Sequence, residues 1–195
     1  MRPRHWSKNL LVFAGIIFAM KLSEAGRWAQ ALAAFAAYCA ASSASYLAND
    51  VRDAEHDRRH TVKCRRPVAS GDLAPRTALL FASSLASAAV IAAGVLGWGS
   101  LALMGAFLVL QAAYTYGLKH VVLLDVMVIA ALFVIRAAGG AAAVHVRISP
   151  WLLLCTALLA LFLGLAKRYA ELATTEPGSL SGQPVLEGYS VALVG

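Results

Sequence analysis

The chain has 195 residues, 60% of them hydrophobic and 14% charged, with a formal net charge of +7. A mean hydropathy of +0.69 places it outside the range of soluble domains. Its low-charge runs approach or exceed the roughly 20 residues that cross a bilayer as a helix, which excludes a transmembrane barrel of alternating strands.

In chain order, the first apolar run covers residues 9–22. It follows Arg2, Arg4 and Lys8 as a secretory leader would. No small-residue cleavage site follows, and further spans do, so it reads as a retained first helix. A second run, 28–48, leads into a long polar segment, 49–74. Runs at 75–97, 99–117, 121–146 and 149–170 complete six spans, with the third and fourth joined by a short "GWGS". The prediction is therefore all-α: a polytopic transmembrane helix bundle forming a single integral membrane domain over 1–195. Gly94, Gly105, Gly139, Gly140 and Gly164 lie inside or at the ends of these helices. Such small residues let membrane helices approach closely, so a tight bundle is expected. After Glu171 the chain turns polar, "TTEPGSLSGQP", and "GYSVALVG" reads as the start of another apolar run, so further spans are expected beyond Gly195.

Counting Lys and Arg in alternate loops gives 13 on one side, from Arg2 to Arg168, against Lys21, Arg27 and Arg147 on the other. The positive-inside rule places the N-terminus and segment 49–74 in the cytoplasm. The positive charge is thus local and calls for no nucleic acid. A basic face at the inner leaflet suits anionic head groups or a phosphorylated substrate. Cys39, Cys64 and Cys155 form no CxxC pair and read as free thiols.

The polar segment is dense in both signs of charge: four acids and six Lys/Arg side chains between Asp50 and Pro67. Asn49, Asp53 and Asp57 are spaced i, i+4, i+8, and Asp50 joins the same stripe. If the second helix continues by about two turns, these groups share one face, each about 6 Å above the last. Such carboxylates repel one another unless a hard divalent cation joins them. Mg2+ accepts one or two protein carboxylates plus substrate phosphates. The plainer alternative is a solvated helix end with i, i+4 pairs such as Glu55 with Arg59. Acids facing the mouth of a membrane bundle favour the metal. His56 and His60, at i, i+4 in "HDRRH", have zinc spacing, but an Asp where Glu is needed and two intervening arginines argue against zinc proteolysis.

Lys63, Arg65 and Arg66 follow the acids. Cations beside a metal cluster can clamp a diphosphate between guanidinium forks and metal. The alternative, cations that only orient the chain, accounts for them but not for the adjoining acids. Tyr114, Lys119 and His120 return to the same side at the end of the fourth span, and Asp125 opens the fifth. Lys167, Arg168 and Glu171 end the sixth. Lys119, Lys167 and Arg168 could each snorkel at a span end. Arg136 sits in mid-span, where a charge needs a buried partner or an anionic ligand.

Taken together, these residues resemble the UbiA-type intramembrane prenyltransferase family, whose first signature is NDxxDxxxD after the second helix. Here Asn49, Asp50, Asp53 and Asp57 complete it. Members usually carry a second cluster, DxxxD, after the sixth helix, where this chain has "KRYAEL". Within the family, "RPRHWSKNLLVF", "YGLKHVVLLDV", "FVIRAAGG" and "LAKRYAEL" are similar to the polyprenyl-phosphate (decaprenyl-phosphate) phosphoribosyltransferase branch. The likeness covers residues 2–172. It implies a fold of nine helices, about three of them beyond this sequence.

The resemblance also implies a bacterial inner-membrane enzyme that moves 5-phosphoribose from phosphoribosyl pyrophosphate to a polyprenyl phosphate. It implies Mg2+ and supply of arabinan precursors to the cell envelope. Asp50, Asp53 and Asp57 are then the catalytic, metal-holding acids, with Asn49 beside them. Lys63, Arg66, Lys119, Lys167 and Arg168 fall to the donor's phosphates and Arg136 to the lipid's phosphate. Tyr114, Asp125 and Glu171 join them as substrate-binding candidates. Two other readings stay open: a prenyltransferase with a prenyl diphosphate donor, and a non-enzymatic transporter or assembly protein. Homo-oligomerisation is left open as well.

Overall fold

The computed structural model describes residues 3–20, 23–121 and 123–174. Chain order gives a 3-10 segment, η1 (Pro3–Phe13), and a short helix, α1 (Ala14–Phe18). Next come α2 (Ala25–Arg52), α3 (Ala54–Arg58), a 3-10 turn η2 (Lys63–Arg65) and α4 (Pro67–Ser70). The remainder is α5 (Pro75–Leu96), α6 (Trp98–Tyr116), η3 (Leu118–His120), α7 (Leu124–Ala143) and α8 (Pro150–Thr174). Among the described residues, five helices are long and apolar enough to cross a membrane: α2, α5, α6, α7 and most of α8. The first expected run, 9–22, takes another form. It is 3-10 up to Phe13 and becomes α-helix only at Ala14, and residues 21 and 22 lie outside the described residues.

The boundaries follow from local chemistry. Pro75 and Pro150 open α5 and α8, where a missing N–H is no loss and the ring's fixed φ suits the first turn. Gly97, at φ 122°, reverses the chain between α5 and α6. A side chain would be strained in that left-handed region.

Helix α2 lies along α5, and α7 occupies the middle, touching η1, α1, α2, α6 and α8. The α2–α5 seam is alanine on alanine, Ala34, Ala37 and Ala41 against Ala89 and Ala93, all buried. Phe107 of α6 fills the centre and meets the Tyr38 ring edge-on, 5.2 Å between centroids. Close approach is sharpest where η1 and α1 cross α7. A Cβ at Gly140 would stand 1.8 Å from the Val12 carbonyl oxygen, and one at Gly15 2.6 Å from the Ala141 Cα. Without van der Waals room for a methyl group, backbone meets backbone there. That contact holds the N-terminal segment against the mid-bundle arginine of α7.

Candidate active site: an acid cluster and a cationic cavity

The acidic stripe forms on a helix that bends but does not break. Helix α2 ends at Arg52 and α3 starts at Ala54, with Asp53 at the joint (φ −88°, ψ 4°). The Asp53 amide still donates to the Asn49 carbonyl (2.9 Å), and the Asp57 amide to the Asp53 carbonyl (2.8 Å). The i, i+4 ladder therefore crosses the bend, and the expected stripe survives it.

Loop cations sort the carboxylates into two sets. One nitrogen of Arg66 lies 2.6 Å from Asp57 and 3.3 Å from Asp50. Arg66 can reach back because Pro67 opens α4 directly after it, turning the chain over the acids. Asp57 is almost wholly buried, its side chain 3% exposed. Asp53 turns instead to Lys119, 3.1 Å and 3.3 Å to its two oxygens, and accepts a hydrogen bond from the Asn49 amide at 3.0 Å. Lys119 is brought there by η3. Arg52, which the sequence analysis passed over, fixes that turn from the other side. Its guanidinium donates to the last carbonyls of α6, Thr115 and Tyr116, and lies 4.8 Å over the Tyr116 ring. Those carbonyls lack helical partners, so a cation there caps the helix. Arg52→Ala is expected to cost about 1 kcal/mol, read as a lower melting temperature in detergent micelles.

The donor set suits a hard divalent cation. Asp50 and Asp57 already converge on a single positive nitrogen, and every group offered is a carboxylate or amide oxygen. Among the described residues, no three His, Cys, Asp or Glu side chains group closely enough to hold one ion together. Two converge and Asp53 stands apart, because each carboxylate takes the nearest cation of the chain. A metal entering at Asp50 and Asp57 would replace the Arg66 contact and leave that guanidinium for a phosphate.

Beyond Asn49 the bundle opens into a polar cavity of about 270 Å3. Its walls include Asn49, Tyr114, Arg136, Lys167 and Arg168, five of the predicted site residues, together with Lys8, Tyr46 and Gln111, which were not singled out. Arg136 is 5% exposed. It donates to the Asn9 carboxamide oxygen (2.8 Å) and the Leu132 carbonyl (2.9 Å), with its guanidinium 4.8 Å over Phe107 and 5.5 Å over Phe133. None of these partners carries a negative charge. Asn9 is itself buried and donates to the Cys39 sulfur at 3.2 Å. A polar side chain opening an apolar run was the sequence signal for it.

Asp125 lies fully buried beneath the cavity, not on its wall. Its carboxylate accepts two hydrogen bonds from Arg168, 3.0 Å and 2.7 Å, and so sets that guanidinium's position. Lys63 stands on η2, half-buried, with its backbone amide turned to the His60 ring. It falls in neither group. The side chains of His120 and Glu171 lie outside the described residues.

Comparison with known proteins bears on the family and the fold. The chain is 37% identical over 194 residues to a decaprenyl-phosphate phosphoribosyltransferase of Mycolicibacterium smegmatis, covering 97% of this chain and 61% of the relative. It is 36% identical to the enzyme of the same description from Mycobacterium tuberculosis, covering 97% and 64%. The chain therefore spans about three fifths of the length of these relatives. In structure it is similar to a UbiA homologue from Archaeoglobus fulgidus bound to DMAPP and Mg2+. The TM-score there is 0.78 at 16% identity, over 95% of this chain and 65% of that one. The pattern of the UbiA prenyltransferase family matches residues 10–175, a stretch that contains the acid cluster and every named cavity residue except Lys8. On that match, this multi-pass membrane chain belongs to the UbiA prenyltransferase family.

Proposed function

We propose that the chain forms the catalytic core of a phosphoribosyltransferase. It moves 5-phosphoribose from phosphoribosyl pyrophosphate to a polyprenyl phosphate such as decaprenyl phosphate and releases pyrophosphate. The observation that carries this reading is the cationic cavity next to the acids. Lys8, Arg136, Lys167 and Arg168 line it, and Lys167 and Arg168 stand where the resemblance implies a second acidic cluster. Four cations suit a donor with a phosphate beyond its pyrophosphate, together with an acceptor that ends in a phosphate. They suit a single prenyl diphosphate less well.

In this reading a phosphate oxygen of the lipid forms a bond to the anomeric carbon of the ribose. The bond from that carbon to pyrophosphate breaks, and its electron pair leaves with the pyrophosphate. The acceptor oxygen is already anionic, so no general base is required and positioning dominates. Bound Mg2+, held by Asp50 and Asp57 with Asp53 and Asn49 beside them, would neutralise charge on the departing pyrophosphate. Arg66 and Lys119, already within 3.3 Å of the aspartates, turn from carboxylate to phosphate when the donor arrives. The site sits at the cytoplasmic leaflet of a bacterial inner membrane, as the excess of Lys and Arg on that side supports. The product serves synthesis of cell-envelope arabinan precursors.

Two measurements test it. Phosphoribosyl pyrophosphate with Mg2+ is expected to protect the segment 49–74 from proteolysis, and a prenyl diphosphate is not. Labelled phosphoribose should pass to decaprenyl phosphate, and chelation or Asp53→Asn should reduce that transfer about a hundredfold or more. Protection by the prenyl compound alone would move the chain to a prenyl diphosphate donor. Transport that survives Asp53→Asn, with no transfer detected, would favour a carrier.

A further inference from the structure

Two cavities meet at the N-terminal segment. The polar cavity shares Lys8, Ile129, Phe133, Lys167 and Arg168 with an apolar groove of about 320 Å3 between η1, α7 and α8. The rest of that groove is largely hydrocarbon, including Leu11, Val126, Leu159 and Leu163. The 3-10 form of η1 explains how one segment serves both. With three residues per turn, side chains at i and i+3 eclipse one another. Lys8 and Leu11 therefore share one edge, a cation followed by a hydrocarbon, and both line the groove. Asn9 and Val12 share another edge, and both are buried in the bundle. An α-helix of the same sequence would offset Leu11 from Lys8 by about 60° instead of eclipsing the two.

We propose that Lys8 is the residue that holds the phosphate of a single-chain lipid monophosphate at the junction of the two cavities. The head group points towards Arg136, and the tail runs along Leu11 in the groove. The assignment rests on the acceptor part of the proposed function and adds the N-terminal segment to the site. Charge complementarity selects this groove over the other. A second apolar groove, between α2, α5 and α6, joins the polar cavity at Ser45, Gln111 and Thr115, which carry no charge. The η1 groove opens at Lys8, Lys167 and Arg168. Arg168 is already tied to Asp125, so Lys8 supplies charge for an anionic head that this pair does not hold.

The test uses the full chain in detergent micelles and calorimetric titration with farnesyl monophosphate, with farnesol as the uncharged control. Lys8→Ala is expected to weaken farnesyl monophosphate binding about tenfold, and Lys8→Arg to restore most of it. Farnesol affinity should stay unchanged in both variants, because an uncharged head group gains nothing from a cation at position 8. Leu11→Trp, which fills the groove, should weaken farnesol and farnesyl monophosphate alike. Unchanged farnesyl monophosphate binding in Lys8→Ala overturns the assignment, and so does an equal loss for farnesol. If the wild-type chain fails to bind phosphoribosyl pyrophosphate but Lys8 still governs the lipid phosphate, the donor reading falls and the assignment of Lys8 stands.

Discussion

Asp57→Asn should abolish most Mg2+-dependent binding of phosphoribosyl pyrophosphate and cut phosphoribosyl transfer by about 10²–10³-fold. It should also destabilise the chain. The Asp57 side chain is 3% exposed and receives the Arg66 guanidinium at 2.6 Å. The neutral amide keeps the shape and one hydrogen bond but removes half of the negative charge facing that cation. Breaking a fully buried pair from one side costs about 3–5 kcal/mol. Arg66 is 24% exposed, and Asp50 remains at 3.3 Å, so about 2 kcal/mol is the fitting expectation here. Glu55→Gln is the control. Glu55 lies on the same short helix α3 but points to solvent, so stability and donor affinity should both hold. Donor affinity and thermal melting, each with and without chelator, separate the two effects. Equal losses in Asp57→Asn and Glu55→Gln would reduce the stripe to a general surface field.

Gly140→Ala is the second large effect, and it acts through packing. The added Cβ would lie 1.8 Å from the Val12 carbonyl oxygen and 2.6 Å from its carbon. Both are backbone atoms, and no rotamer change can move them aside. Helix α7 and η1 must separate, at a cost of about 3 kcal/mol or more. Arg136 lies one turn before Gly140, and Asn9 one 3-10 turn before Val12, so the 2.8 Å bond between them belongs to the same contact. Separation should therefore weaken lipid-phosphate binding as well as lower the melting temperature. Gly105→Ala provides the contrast. A Cβ there meets nothing within 4 Å, and alanine in mid-helix is worth up to about 1 kcal/mol over glycine. The two substitutions should shift the melting temperature in opposite directions. A shift of the same sign and size would remove the backbone contact as the seat of the effect.

These expectations divide along the same line as the information that produced them. Hydropathy alone placed five long helices within a few residues of their observed ends, as in 75–97 against Pro75–Leu96, because span length is fixed by bilayer thickness and a bilayer rewards every apolar residue alike. Spacing alone put Asn49, Asp50, Asp53 and Asp57 on one face, since the 3.6-residue period holds even across a bend whose backbone hydrogen bonds persist. Arg136 was legible too, as a charge too deep in a span to reach water.

Pairing was not legible. Nothing local shows that Arg66 takes Asp57 while Lys119 takes Asp53, or that Asp125 lies under Arg168, because such partners are 9 to 66 residues apart in the chain. Lys8 counted only as an orienting cation, since its neighbours in the cavity come from α2, α6, α7 and α8. The form of η1 was hidden for a related reason. Apolar composition marks a segment as buried in the membrane but does not choose between 3-10 and α geometry. Crossing α7 at backbone contact, through Gly15 and Gly140, decides how that segment sits, and so which of its side chains reach the cavity.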